Sequence, residues 1–143
     1  MRKMRLEGEA GEFISEFGKL LRSALAFRDL IAIDEKHIKM VLLALLFTIG
    51  DYLVDSEREL GGGYADILLQ ENPSSPGTSN YEWIIELKYL KAKTLKNYDQ
   101  IATAAKIQAE TYRTAYVEKY NNGKIVKTLV LIVSGKGKIQ IAG

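Results

Sequence analysis

The chain has 143 residues, 47% hydrophobic and 27% charged, with a net charge of +2, the profile of one globular domain around a single core. Cysteine is absent and histidine occurs once, which excludes disulfides, thiolate metal sites, cysteine nucleophiles and histidine-based metal sites. Any bound metal must therefore be held by carboxylates, carbonyls and water.

The first periodic stretch, Phe13, Ile14, Phe17, Leu20, Leu21 and Ala24, has the spacing of an amphipathic helix that packs on the domain. Its basic N-terminus is not followed by an apolar core of signal-peptide type. Asp34 is the expected N-cap of a second helix, Glu35 to Ile49, ended by Gly50. That helix is apolar nearly all round and is expected to be buried. The hydrophobic run Ile38 to Gly50 is too short to cross a bilayer and contains Lys39, so a cytoplasmic protein with no membrane partner is expected.

Three strands follow: Tyr52 to Glu59, Tyr64 to Gln70 and Tyr81 to Lys88. The turn-rich segment Asn72-Pro73-Ser74-Ser75-Pro76-Gly77-Thr78-Ser79-Asn80 reads as the loop of a hairpin between the last two. Strong helix formers run from Thr94 to Tyr120, with a stripe at Tyr98, Ile101, Ala105, Gln108 and Tyr112, and Asn121-Asn122-Gly123 ends the helix. Ile125 to Val133 is a buried strand, Ser134-Gly135-Lys136-Gly137 a turn, and Lys138 to Ala142 a short tail. The expected fold is α/β: a central mixed β-sheet with an antiparallel hairpin, flanked by helices, one of which crosses over to deliver a further strand.

Charge interrupts the apolar grain of two strands, at Asp66 in the second and at Glu86 and Lys88 in the third. Alternation points Glu86 and Lys88 to one face, and the hairpin lays Asp66 beside Glu86. Two carboxylates and an ammonium then converge. Few hard oxygen ligands, with positions left for water, suit Mg²⁺ or Mn²⁺. A lysine beside such an ion can orient a water and offset charge on a phosphate under attack. Two close carboxylates repel when no metal is bound, so one of them is expected to have a raised pKa.

The motif Gly63-Tyr64-Ala65-Asp66 followed, after nineteen intervening residues, by Glu86-Leu87-Lys88 resembles the metal-dependent PD-(D/E)XK nuclease superfamily. More narrowly, it resembles the nuclease-like domain found behind AAA-ATPase-like domains in many bacterial proteins. The likeness takes in Arg58-Glu59 and the glycine run, Gln100 in the next helix and the late strand Lys127 to Val133. It departs at Ala65, where the superfamily name has proline, and at Tyr64, where the subfamily often has arginine. The resemblance implies a restriction-endonuclease-like core over residues 34–143, with residues 1–33 a helical segment packed on it. It implies Asp66, Glu86 and Lys88 as catalytic residues, and Asp66, Glu86 and the Leu87 carbonyl as metal ligands. Gln100, Glu59 and Glu35 are candidate auxiliary residues, each with an ordinary surface role as the competing explanation. His37, at the start of its helix, is expected to cap or pack rather than catalyse.

The +2 total hides an asymmetry. Residues 1–85 carry nine Lys or Arg against fourteen Asp or Glu, and residues 86–143 eleven against four, so the halves are near −5 and +7. The second half fits a polyanion; Lys88, Lys91, Lys93 and Lys96 are its densest part, and Lys91, Lys93 and Lys96 are the expected nucleic-acid contacts, with a solvated lysine-rich helix start as the competing explanation. Gly61-Gly62-Gly63 leads into a strand and lacks the Lys-Ser or Lys-Thr of a phosphate loop, so it reads as a turn or as a place of close approach by a nucleic-acid backbone rather than as a nucleotide site. The leading expectation is a Mg²⁺- or Mn²⁺-dependent phosphodiesterase acting on nucleic acid, DNA first. The alternative is a non-catalytic nucleic-acid-binding or regulatory module working with an ATPase domain or partner, and an oligomer is compatible with either.

Overall fold

The computed structural model describes residues 1–26, 33–135 and 138–142. Lys136 and Gly137 of the expected turn, and residues 27–32 of the expected N-terminal segment, lie outside them. The elements are α1 (Arg2–Leu6), α2 (Gly11–Leu25), α3 (Glu35–Ile49), β1 (Tyr52–Leu60), β2 (Gly63–Glu71), β3 (Tyr81–Leu90), a 3₁₀ segment (Ala92–Asn97), α4 (Tyr98–Lys119), β4 (Ile125–Ser134) and β5 (Lys138–Ile141).

The strands form one sheet in the order β1-β2-β3-β4-β5. β1, β2 and β3 pair antiparallel, β3 and β4 pair parallel across the α4 crossover, and β5 returns antiparallel on β4. The mixed sheet with a central hairpin is thus the expected one. Of the expected tail Lys138 to Ala142, residues Lys138–Ile141 form an edge strand, because Ile139 and Gln140 pair with Val133 and Ile132.

Alternation sends one set of strand side chains to each helical layer. Ile67, Leu69, Trp83, Ile85, Leu87, Leu129, Leu131 and Val133 pack against Met4, Phe13, Phe17, Leu21, Ile38, Leu42 and Leu46 of α1, α2 and α3. On the other face Leu68, Ile84, Val130 and Ile132 meet the small and aromatic residues of α4, Ala102, Ala105, Ala109, Tyr112 and Tyr116. α1 is tied down by backbone groups as well: the Trp83 indole N–H donates to the Met4 carbonyl at 3.2 Å and Asn80 N–H to the Arg5 carbonyl at 2.8 Å.

α3 begins as read. Asp34 accepts the His37 backbone N–H at 3.1 Å, His37 Nδ1 in turn accepts the Asp34 N–H at 3.4 Å, and Gly50 closes the helix in the left-handed region at φ +68°. His37 is therefore a cap. The helix is not buried all round, however. Only Ile38, Leu42 and Leu46 are fully covered, while Met40 and Phe47 are 68% and 63% exposed. A sheet and one neighbouring helix can cover a single stripe, and hydropathy does not say which apolar residues fall outside it. The long helix also starts later than expected, at Tyr98, with residues 92–97 wound as 3₁₀ turns.

The Gly61-Gly62 turn joins β1 to β2 with both residues at positive φ, +57° and +83°, the two-residue hairpin geometry that matches strand twist. Gly63 has a separate reason to be glycine: a Cβ there would stand 2.5 Å from the Tyr112 hydroxyl of α4. Close approach of the protein's own helix accounts for the third glycine of the run.

Candidate active site

β2 and β3 pair along a short stretch only, Ile67↔Ile85, Leu68↔Ile84 and Leu69↔Trp83. Beyond each end, carboxylates take the place of ladder carbonyls. At one end the Glu71 N–H donates to Glu82 Oε1 at 3.0 Å. At the other the Asp66 N–H donates to Glu86 Oε1 at 3.3 Å, and the Leu87 N–H to Asp66 Oδ2 at 2.9 Å. The two strands part there because side chains fill the gap between their backbones. The alternation of β2 slips at the same point: Ala65 and Leu68, an odd number of residues apart, both pack on the α4 side.

The two glutamates inserted in this way differ in what surrounds them. Glu82 is fully partnered, since Oε2 accepts the Tyr116 hydroxyl at 2.7 Å and the Asn122 amide at 3.1 Å, as a structural tie should be. Glu86, only 1% exposed at the side chain, has the long bond from Asp66 N–H and an ion pair with Lys88 Nζ at 3.7 Å. Burial first, and the neighbouring Asp66 carboxylate second, push its pKa up to about 7. A raised value was expected from carboxylate repulsion, yet desolvation is the larger cause. Glu86 is thus a poorly satisfied buried carboxylate facing a second one.

Lys39 completes the cluster from α3. Its Nζ contacts Glu57 Oε1 of β1 and lies 3.6 Å from Asp66 Oδ1. Nothing in the sequence reading assigned it a role. The only signal was a single cation inside the otherwise apolar run Ile38 to Gly50.

The remaining candidates are spread around this centre. The Glu35 carboxylate accepts the Tyr89 N–H at 3.1 Å, which brings the α3 N-terminus to the strand just past Lys88. Glu59 is exposed and lines a cleft with Arg58, Gly61, Gly62, Ala115 and Lys119. Gln100 is exposed in the first turn of α4. Lys91, between β3 and the 3₁₀ segment, and Lys93 and Lys96 within that segment are exposed. Among the described residues, no three histidine or acidic side chains converge as a metal-holding group.

The donor set nevertheless fits a hard divalent ion. Mg²⁺ is commonly held by one or two carboxylates, with waters and substrate oxygens completing the octahedron. Asp66 and Glu86 supply two such groups, interlocked across the strands: the Glu86 carboxylate accepts the Asp66 N–H and the Asp66 carboxylate accepts the Leu87 N–H. Burial of Glu86 beside Asp66 leaves an electrostatic cost that a dication would relieve.

Searches of curated proteins and of solved structures each gave no match. A family model does match residues 33–141, and its description is PD-(D/E)XK nuclease superfamily. The matched span holds β1 to β5, the Asp66/Glu86 split and both lysines beside it. The chain belongs to the PD-(D/E)XK nuclease superfamily.

Proposed function

We propose that this chain is a Mg²⁺- or Mn²⁺-dependent nuclease that hydrolyses phosphodiester bonds of nucleic acid, DNA in the first instance. The observation behind it is the pair Asp66 and Glu86, locked across the parting of β2 and β3 with Lys88 3.7 Å from Glu86, in a chain of this superfamily. Asp66, Glu86 and the Leu87 carbonyl would hold the ion. Bound there, a divalent ion supplies Lewis acidity to a phosphoryl oxygen and makes a bound water more acidic.

The protein's own residues do the rest. Lys88, the more exposed member of its pair with Glu86, orients the attacking water and offsets charge on the five-coordinate phosphorus. Lys91, Lys93 and Lys96 lie on the segment that continues β3 and contact backbone phosphates, a sequence-independent attraction. Gln100, Glu35 and Glu59 take auxiliary roles at the rim, with Glu35 fixing the strand end through Tyr89 N–H.

Plasmid and single-stranded DNA, incubated with and without Mg²⁺ or Mn²⁺, test this. Wild type should cut only with metal, and Asp66→Ala and Lys88→Ala should not cut at all. Cleavage that persists in both variants would remove these residues from the reaction.

The exposed apolar residues Met40 and Phe47 on α3 favour a second reading, in which the domain serves as a nucleic-acid-binding or regulatory module against an ATPase domain or partner. Salt-dependent DNA binding without cleavage, unchanged by Glu86→Ala, is its signature.

A further inference from the structure

Lys39 and Glu57 are charged, adjoin the site, and have no part in the reaction just described. Lys39 is 13% exposed at its side chain, enclosed between α3 and the sheet, and its ammonium is shared between Glu57 Oε1 and Asp66 Oδ1, 3.6 Å from the latter. Glu57 is 61% exposed and is the one non-glycine residue at positive φ, +60°, among the described residues. Glutamate does not adopt that conformation without cost.

Its consequence is visible in the ladder. Ser56 pairs with Ile67 and Arg58 with Ala65, while Glu57 and Asp66, opposite each other in the same register, are skipped. The break frees the Glu57 carboxylate to meet Lys39. Asp66 is then held on both sides, Oδ2 by the Leu87 N–H at 2.9 Å and Oδ1 by the lysine.

An ammonium against a ligand oxygen has two opposite effects. Without metal it neutralises a carboxylate that faces the buried Glu86. With a dication arriving at the same carboxylate, it repels, and at separations of a few ångströms that repulsion outweighs small gains from orientation. Glu57 decides how far Lys39 leans on Asp66.

We infer that Lys39, shared between Glu57 and Asp66, is an internal counter-ion that sets the affinity of the Asp66/Glu86 site for its divalent cation. On Asp66 the lysine holds the metal-free carboxylates together, and drawn to Glu57 it yields Asp66 to the metal. Lys39 is a positioning residue that acts through Asp66, and the inference rests on the metal reading proposed above.

Calorimetric titration of MnCl2 into metal-free protein, with thermal melts in chelator, provides the test. Lys39→Met should bind Mn²⁺ more tightly by about tenfold or more and melt at lower temperature when metal-free. Glu57→Gln should bind Mn²⁺ more weakly, because the lysine then leans wholly on Asp66. Lys39→Arg, which keeps the charge, should stay near wild type. A residue with a merely structural role weakens binding whichever partner is removed, so loosening in both Lys39→Met and Glu57→Gln overturns the inference. Unchanged affinity in both does the same. If Lys39→Met fails to fold, Lys39→Gln, which removes the charge and keeps a polar end, takes its place with the same expectation, and unchanged or weaker binding refutes the inference. Absence of Mn²⁺ binding in wild type would instead overturn the metal reading itself, and the inference with it.

Discussion

Replacing Glu86 by glutamine should change how stability depends on pH, in a direction opposite to that of an ordinary paired carboxylate. The Glu86 carboxyl is pushed from 4.5 to about 7, chiefly by burial, so between those values the folded protein keeps a proton that the unfolded chain has released. Fewer protons on the unfolded state mean that stability falls as pH rises through the window and levels off above it. A shift of this size corresponds to on the order of 3 kcal/mol between about pH 4.5 and 7. Glutamine keeps the oxygen that accepts the Asp66 N–H but cannot ionise. Urea unfolding in chelator at pH 5, 6, 7 and 8 should show Glu86→Gln gaining on wild type by roughly 2–3 kcal/mol from pH 5 to 8. Mn²⁺ at pH 8 should then restore stability to wild type and leave the variant unmoved, since only the carboxylate exchanges its proton for a metal. A difference between the two proteins that is constant from pH 5 to 8 would refute the burial argument.

Other outcomes follow from the same geometry. Lys88→Met should abolish metal-dependent cleavage while lowering stability by about 1 kcal/mol or less, because the lysine is partly solvated and 3.7 Å from its partner; a large loss of stability by thermal melt, with cleavage retained, would make it a structural counter-ion. Gly63→Ala should destabilise by about 1–3 kcal/mol, since its Cβ meets the Tyr112 hydroxyl at 2.5 Å, and Tyr112→Phe in the same chain should recover part of that loss in urea unfolding. Joint replacement of Lys91, Lys93 and Lys96 by alanine should reduce the salt dependence of DNA binding, lowering the slope of log affinity against log salt by roughly 2–3 if all three meet phosphates. An unchanged slope would place the polyanion elsewhere.

Much of this fold is written in local signals, and the parts that are not share a physical reason. Asp34 before a helix-forming run and Gly50 after it fix α3 at both ends, because caps satisfy groups that no other nearby residue can. The loop 72–80 and the alternation beyond it placed Asp66 beside Glu86 without any knowledge of the tertiary structure. Lys39 and Glu57 could not be read this way. One lies on a helix, the other on an edge strand at positive φ, and their meeting depends on how α3 crosses the sheet. Glu82 looks in sequence like any strand glutamate, and only its bonds to Tyr116 and Asn122 separate it from Glu86. The exposed Met40 and Phe47 were misread as core because hydropathy reports what a side chain prefers, while packing decides what is covered.

The central claim is that Asp66 and Glu86 form a two-carboxylate site for a hard divalent ion, and a crystal of the protein soaked in MnCl2 tests it most directly. Anomalous density should appear between the two carboxylates, with metal–oxygen distances of about 2.0–2.2 Å to Asp66, Glu86 and the Leu87 carbonyl, and should vanish in Asp66→Asn. Manganese bound elsewhere on the protein, with no anomalous density at the parting of β2 and β3, would contradict the claim.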